Sequence, residues 1–194
     1  PLPAREDSGS STTKFMAVGY PSGDRRVFTP DNPAFRYEGR IDMSRPEAPR
    51  LNWQASRIIV DFEGTELTVL MELAAGKAAV DIEIDGISHL VLLERGIQAW
   101  QLRGSVSPGR HRLEIFKRSE ASVGALRFKG LIVQEGTSLQ KSPSTYSSRM
   151  IFFGDSISFG ACNEDAGEDQ WDDIRTHNNA KSYGNLFARE INAD

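Results

Sequence analysis

The stretch Ala78-Ala-Val-Asp-Ile-Glu-Ile-Asp-Gly86 decides the class of the fold. Val80, Ile82 and Ile84 fall on one side and Asp81, Glu83 and Asp85 on the other, the period-two alternation of a strand with one wet face. Asp85-Gly86 separates it from a second apolar segment at 87–93. An Asp-Gly pair in that position signals a hairpin, because the tight turn needs positive φ. Outward from this hairpin, segments at 57–62, 66–73, 99–103, 111–117 and 125–134 are rich in β-branched and aromatic residues. Turns at Glu63-Gly64, Ala75-Gly76 and Pro108-Gly109 punctuate them. Short strands recurring without helical periodicity predict an all-β sandwich over residues 15–137.

The flanks read differently. Residues 1–14, PLPAREDSGSSTTK, are polar and Pro/Ser/Thr-rich and are expected to form a flexible arm. Around Glu135 to Ser148 the strand pattern gives way to Ser, Thr, Pro and Gly, so 138–148 is read as an interdomain linker. Arg149-Met-Ile-Phe-Phe then begins a continuous apolar segment, as expected of a strand buried on both faces. A helix is expected at about 180–191, with Tyr183, Leu186, Phe187 and Ile191 on one stripe. Its basic Lys181 and acidic Glu190 oppose the helix dipole, so packing must hold it in place. Residues 149–194 are therefore the beginning of an α/β domain, and alone they would leave that stripe partly uncovered.

The 194 residues are 39% hydrophobic and 26% charged, which suits a globular chain rather than a disordered one. Apolar runs such as Met150 to Phe153 are far shorter than the roughly 20 residues of a spanning helix, so no membrane partner is expected. A net charge of −4 without a basic block argues against nucleic acid as a partner. The single cysteine, Cys162, cannot close an intrachain disulfide. The opening residues lack a signal-peptide pattern, as the mature form of a secreted protein also would.

Met150-Ile-Phe-Phe-Gly-Asp-Ser-Ile-Ser-Phe-Gly160 is the segment that carries chemistry. A buried strand ending in Gly-Asp-Ser places Ser156 beyond the carboxyl end of the strand, where open α/β sheets present their sites. Gly154 permits a sharp turn, and backbone N–H groups there, with Asp155 and Gly160 in support, can face a developing oxyanion. The alternative is a tight turn in which Asp155 and Ser156 cap the backbone.

Phe-Phe-Gly-Asp-Ser-Ile-Ser-Phe-Gly-Ala-Cys-Asn resembles the first block of the SGNH, or GDSL, hydrolases, and the segment from Lys181 to Asp194 resembles the helix that follows it. Upstream, Trp53-Gln-Ala-Ser-Arg-Ile-Ile-Val-Asp-Phe-Glu-Gly-Thr, Ile84-Asp-Gly and Gly109-Arg-His-Arg-Leu-Glu-Ile-Phe-Lys-Arg-Ser-Glu are similar to the N-terminal domain of carbohydrate esterase family two. The resemblance covers about residues 36–194. It implies a jelly-roll sandwich followed by the start of a flavodoxin-like SGNH domain that removes O-acetyl groups from plant polysaccharides or sugars outside the cell or in the periplasm. Ser156 would be the nucleophile and would lend its backbone N–H to the oxyanion. The general base would be a histidine outside this chain, in the remainder of the hydrolase domain on the same or a nicked chain. No cofactor and no metal are implied.

Three histidines are present. His89 and His111 fall in sandwich strands and are read as structural, whereas His177 precedes the helix and is a weak alternative base. The loop 163–173 carries six carboxylates, but its spacing does not match a calcium-binding loop, and it is read as solvated. Asn163 and Trp171 are candidate pocket residues. Trp53 and Trp100 are read as core aromatics that could instead stack on sugar. Arg118 and Glu120 are expected to pair or cap at the sandwich edge. Cys162 has no evident histidine partner for a thiol mechanism. The competing function is a non-catalytic carbohydrate-binding sandwich with a vestigial hydrolase segment.

Overall fold

Two antiparallel sheets face each other across one apolar core in the computed structural model, which describes residues 14–21, 23–103 and 106–194. In chain order the strands are β1 (Lys14–Val18), β2 (Arg25–Phe28), β3 (Arg36–Glu38), β4 (Ile41–Asp42), β5 (Arg50–Leu51), β6 (Arg57–Glu63), β7 (Leu67–Gly76), β8 (Ala78–Ile84), β9 (Ile87–Leu93), β10 (Gly96–Arg103), β11 (Arg110–Lys117), β12 (Gly124–Gln134) and β13 (Ser138–Gln140). One sheet runs β1-β10-β7-β12-β5-β4 with β2 also on β12. The other runs β13-β6-β11-β8-β9 with β3 also on β6. Of the N-terminal arm expected over 1–14, residues 1–13 lie outside the described residues, and Lys14 opens β1.

The alternation in β8 behaves as its pattern requires. Val80, Ile82 and Ile84 are buried in the core beside Ile115 and Leu113 of β11. The following Asp85 and Gly86 have φ of 52° and 85°, the left-handed pair that a two-residue hairpin turn needs. Leu51, Phe62, Met71 and Phe128 complete the core, and Phe35 meets Phe128 edge-to-face at 5.1 Å. Gly76 and Gly124 let the end of β7 meet the start of β12: a Cβ on either would run into the other strand's neighbouring carbonyl, of Val123 or Lys77.

Two expectations are corrected. The linker expected at 138–148 begins with a sandwich strand, since β13 pairs Leu139 with Phe62 of β6. It is polar because it is a short edge strand with few side chains to bury. The strand expected over the apolar residues after Arg149 does not form. Pairing stops at its start, with a parallel bridge between Ser148 and Ala193 and a bond from Met150 N to the Asp194 carbonyl at 2.7 Å. Without neighbours on both sides a central strand has no ladder to join, and Ile151 and Phe153 stand 74% and 86% exposed. The helix does form, as a 3-10 turn at Asn179–Lys181 followed by α1 (Tyr183–Glu190) capped by Ser182. Its apolar stripe does not anchor it. Tyr183, Leu186, Phe187 and Ile191 remain exposed, whereas Gly184 and Ala188 face inward, with Gly184 against the ring of Phe152.

Among the described residues no helix is long and apolar enough to cross a membrane.

Candidate functional site

Residues 154–164 form a run of turns rather than a strand-to-helix elbow. Asp155 Oδ1 accepts from the Ile157 amide at 3.1 Å, and the Ser156 carbonyl accepts from Ala161 N at 3.0 Å. Gly154 is required sterically, because a Cβ there would collide with the Ser158 side chain. Ser158 Oγ in turn contacts Tyr183 Oη of α1 at 3.0 Å. Ser156 is half-buried, and among the described residues neither its hydroxyl nor its amide has a hydrogen-bond partner. The Gly160 amide is engaged by the Ile157 carbonyl, so Gly160 contributes its conformation: φ is +82° and a Cβ would lie 2.6 Å from the Asn178 carbonyl.

Asn163 ties this run to the segment before α1. Its side chain accepts from Asn178 N at 3.1 Å and donates to Asn178 O at 2.9 Å. Asn179 donates from Nδ2 to the Phe159 carbonyl at 3.0 Å. Asn178 and Asn179 were not singled out in the sequence. The signal was the asparagine pair itself, a side-chain type that imitates backbone where two irregular segments must be joined.

The histidines are dispersed. His111 bonds through Nδ1 to Asp85 at 2.5 Å and through Nε2 to the Ser107 carbonyl at 2.6 Å, a structural role in the hairpin. His89 lies in β9 beside Phe15, where burial pushes its imidazole down from its ordinary value. His177 does not approach Ser156 through a hydrogen bond. It is buried, its Nε2 lies 3.6 Å from Cys162 Sγ and 3.1 Å from the Trp171 carbonyl, and the Trp171 ring packs on it at 5.4 Å. Cys162 thus has the histidine neighbour that its sequence context did not reveal. The contact arises because the turn after Gly160 folds back on residues 176–178.

Arg118 also departs from expectation. It pairs with Asp81 of β8 at 3.0 Å and with Glu164, not with Glu120, and donates to the carbonyls of His177 and Arg175. The supposedly wet face of β8 is covered at this point. Burial pulls the Glu164 carboxyl upward, but hydrogen bonds from Lys181 and Asn178 and the Arg118 charge outweigh it and hold it below its usual range. A second clamp is Arg57 of β6, which pairs with Glu38 and Asp194 and donates to Tyr146 Oη at 2.9 Å. Glu120 instead contributes its carbonyl, with that of Ser119, to the buried Nζ of Lys117.

Trp100 packs against the core, as expected. Trp53 does not: it is 43% exposed, under the guanidinium of Arg40, because it follows the two-residue β5 rather than lying within a strand. It flanks an open groove of about 470 Å³ lined also by Arg50, Asn52, Gly76 and Ser122.

Against known proteins, the family described as carbohydrate esterase 2 N-terminal matches residues 37–143. The chain is 29% identical over 172 residues to a cellulase/esterase CelE of Acetivibrio thermocellus, an alignment covering 84% of this chain and 20% of that protein. It is 27% identical over 164 residues to an acetylxylan esterase / glucomannan deacetylase of Cellvibrio japonicus, covering 84% of this chain and 45% of that protein. A family two carbohydrate esterase from Clostridium thermocellum, solved in complex with cellohexaose, superposes with a TM-score of 0.76 at 28% identity, over 82% of this chain and 49% of that one. The structure of a family two carbohydrate esterase from Cellvibrio japonicus shares the fold, with a TM-score of 0.78 at 24% identity, over 92% and 51% of the two chains. The chain therefore spans less than half the length of the curated relatives it matches.

Proposed function

The chain belongs to the carbohydrate esterase 2 family through its N-terminal domain, and from that premise we propose that it supplies the sandwich and the nucleophile segment of a carbohydrate O-acetyl esterase. The observation that carries the reading is that a sandwich of this family continues, in one chain, into a turn where Ser156 has a free hydroxyl and a free amide among the described residues. Ser156 Oγ attacks the acetyl carbonyl and gives its proton to a base. The carbonyl oxygen becomes an oxyanion, to which the Ser156 amide donates, and the sugar leaves as its alcohol once reprotonated. Water then releases acetate from the acyl-enzyme.

Neither His89, His111 nor His177 is placed to serve as the base, which we assign to the remainder of the hydrolase domain on the same or a nicked chain. The same remainder covers Ile151, Phe153, Ile157 and the stripe of α1, whose exposure is otherwise unfavourable. The substrate is an acetylated plant polysaccharide such as xylan or glucomannan, by analogy with the Cellvibrio japonicus relative, and the enzyme acts where that polymer is, outside the cell. In the whole protein, Ser156→Ala lowers acetate release from acetylated xylan by about four orders of magnitude. Undiminished release overturns the assignment.

One observation favours a second reading, a sandwich that binds carbohydrate without cleaving it: the exposed Trp53 beside its groove. On that reading Trp53→Ala abolishes cellohexaose binding measured by calorimetry and Ser156→Ala leaves it intact.

A further inference from the structure

Arg118 and the turn that carries Ser156 grip the same short stretch of backbone from opposite sides. Arg118 directly follows β11, where its amide donates to the Ala79 carbonyl of β8 at 3.1 Å and Nη1 pairs with Asp81 at 3.0 Å. Its Nε donates to the His177 carbonyl at 3.0 Å and its Nη2 to the Arg175 carbonyl at 2.9 Å. The His177 carbonyl belongs to the same peptide unit as the Asn178 N–H, which donates to the Gly160 carbonyl at 2.9 Å. The next peptide unit is held the other way round. Its Asn179 N–H donates to the Arg118 carbonyl at 3.2 Å, and its Asn178 carbonyl accepts from Asn163 Nδ2 at 2.9 Å. Two consecutive peptide units thus bridge the sandwich to residues 160–163, and the Ala161 N–H closes the path onto the Ser156 carbonyl at 3.0 Å.

Each joint of this path is stiff. A peptide unit is planar, so fixing its oxygen also fixes its N–H. Arg118, His177, Asn178 and Asn179 are all buried, where hydrogen bonds are stronger than in water. The Asn178 N–H is shared with Asn163 Oδ1 at 3.1 Å, and Asn179 Nδ2 adds a bond to the Phe159 carbonyl at 3.0 Å. On the sandwich side the guanidinium is held in turn by Asp81 and Glu164. Two carbonyls and two carboxylates around one cation call for several donors in a fixed plane, which a guanidinium presents and an ammonium does not.

We infer that Arg118 is a positioning residue for the ester hydrolysis: from the sandwich it fixes the placement of the Ser156 nucleophile without touching substrate. This role rests on the esterase reading. A nucleophile misplaced by about 1 Å loses about a hundredfold in rate, and a productive site is held within about 0.5 Å by the side chains behind it. The sandwich is then a working part of the active site, because the guanidinium that aims the serine turn is anchored on β8 and the end of β11.

The test uses the whole protein. It follows the rate and the extent of Ser156 modification by a fluorophosphonate, read by intact mass, beside kcat and KM for acetate release from acetylated xylan. Arg118→Lys keeps the charge beside Asp81 and Glu164 and loses the fork. It slows modification and lowers kcat at least about tenfold while KM stays within about twofold, and modification still runs to completion. Asn179→Ala, which cuts the tie to Phe159 and leaves Arg118 in place, slows modification in the same direction. Ile82→Val, a change in the sandwich core away from the path, leaves the rate as it was. Modification of Arg118→Lys at the normal rate but to a reduced extent means that Arg118 serves folding alone and overturns the role, as does an unchanged rate and extent. The two readings fail separately. Acetate release that survives Ser156→Ala removes the esterase reading, whereas release lost in Ser156→Ala and untouched in Arg118→Lys removes only the role of Arg118.

Discussion

The sandwich and the segment after Ser148 are held by different forces. Between β1 and β13 the sheets complete their own ladders and close over a core in which Val60, Val69, Ile82, Ile115 and Phe128 are fully buried. From Arg149 onward most of the large apolar side chains point outward, with Ile174 the buried exception, and order comes from asparagine cross-links and from two guanidinium groups, Arg118 and Arg57, planted in the sandwich. Apolar area is non-directional and needs a partner surface of comparable size. Charged hydrogen bonds need only one well-placed group, which allows an incompletely covered segment to take a defined shape against a complete one.

The sharpest way to break this contrast is to remove a core ring. Phe128→Ala deletes a buried aromatic that packs on Phe35 and is expected to cost about 3–5 kcal/mol in urea unfolding. Both regions are then lost together. Arg118→Leu is next: it leaves Asp81 without its cation, Glu164 with Lys181 alone, and two carbonyls without a donor, at an expected cost of about 3 kcal/mol. Limited proteolysis should then cut within 160–181 while the sandwich core stays protected, and simultaneous loss of both would show that the two regions are one cooperative unit.

Lys117 sharpens the comparison from the sandwich side. Burial, only partly opposed by Glu120, lowers its ammonium to about 7. The unfolded chain still holds that proton up to the ordinary lysine range, so above pH 7 the unfolded state binds more protons than the folded one. Stability therefore rises with pH across that window, by roughly 2 kcal/mol between pH 7 and 9. Denaturation midpoints of the native chain should increase accordingly, and those of Lys117→Met should not. The smallest effect belongs to Phe153→Ser, which at 86% exposure changes the stability of this chain by less than about 0.5 kcal/mol. A loss comparable to Phe128→Ala would mean that the segment has a core of its own.

Period-two alternation and Gly-containing turns were enough to read the seven longer strands, because each long strand carries its own pattern of inward and outward residues. β4 and β5 were not legible: two residues have no period, and they exist only because Leu51 pairs with Leu126 and Ile41 with Leu51. The outcome at 149–153 reverses the problem. Four consecutive apolar side chains say that a segment is buried somewhere, and they do not say whether the covering surface lies nearby in the chain. At the site, Gly154 was legible as a turn residue, whereas the steric need for glycine at 160 depends on the Asn178 carbonyl, which no local pattern announces. The meeting of Cys162 with His177 was not legible either, since residues 15 apart without helical or strand period give no distance.

The Arg57 and Arg118 clamps set an order of events during synthesis. Arg57 leaves the ribosome 137 residues before Asp194, and Arg118 leaves 46 residues before Glu164. The sandwich that fixes both guanidinium groups can thus be complete while their acidic partners are still being made, as N-terminal units commonly fold first. The entropic cost of closing such loops grows only with the logarithm of their length. The later segment is then received by a template already in place, and its shape is inherited from a surface finished before it existed.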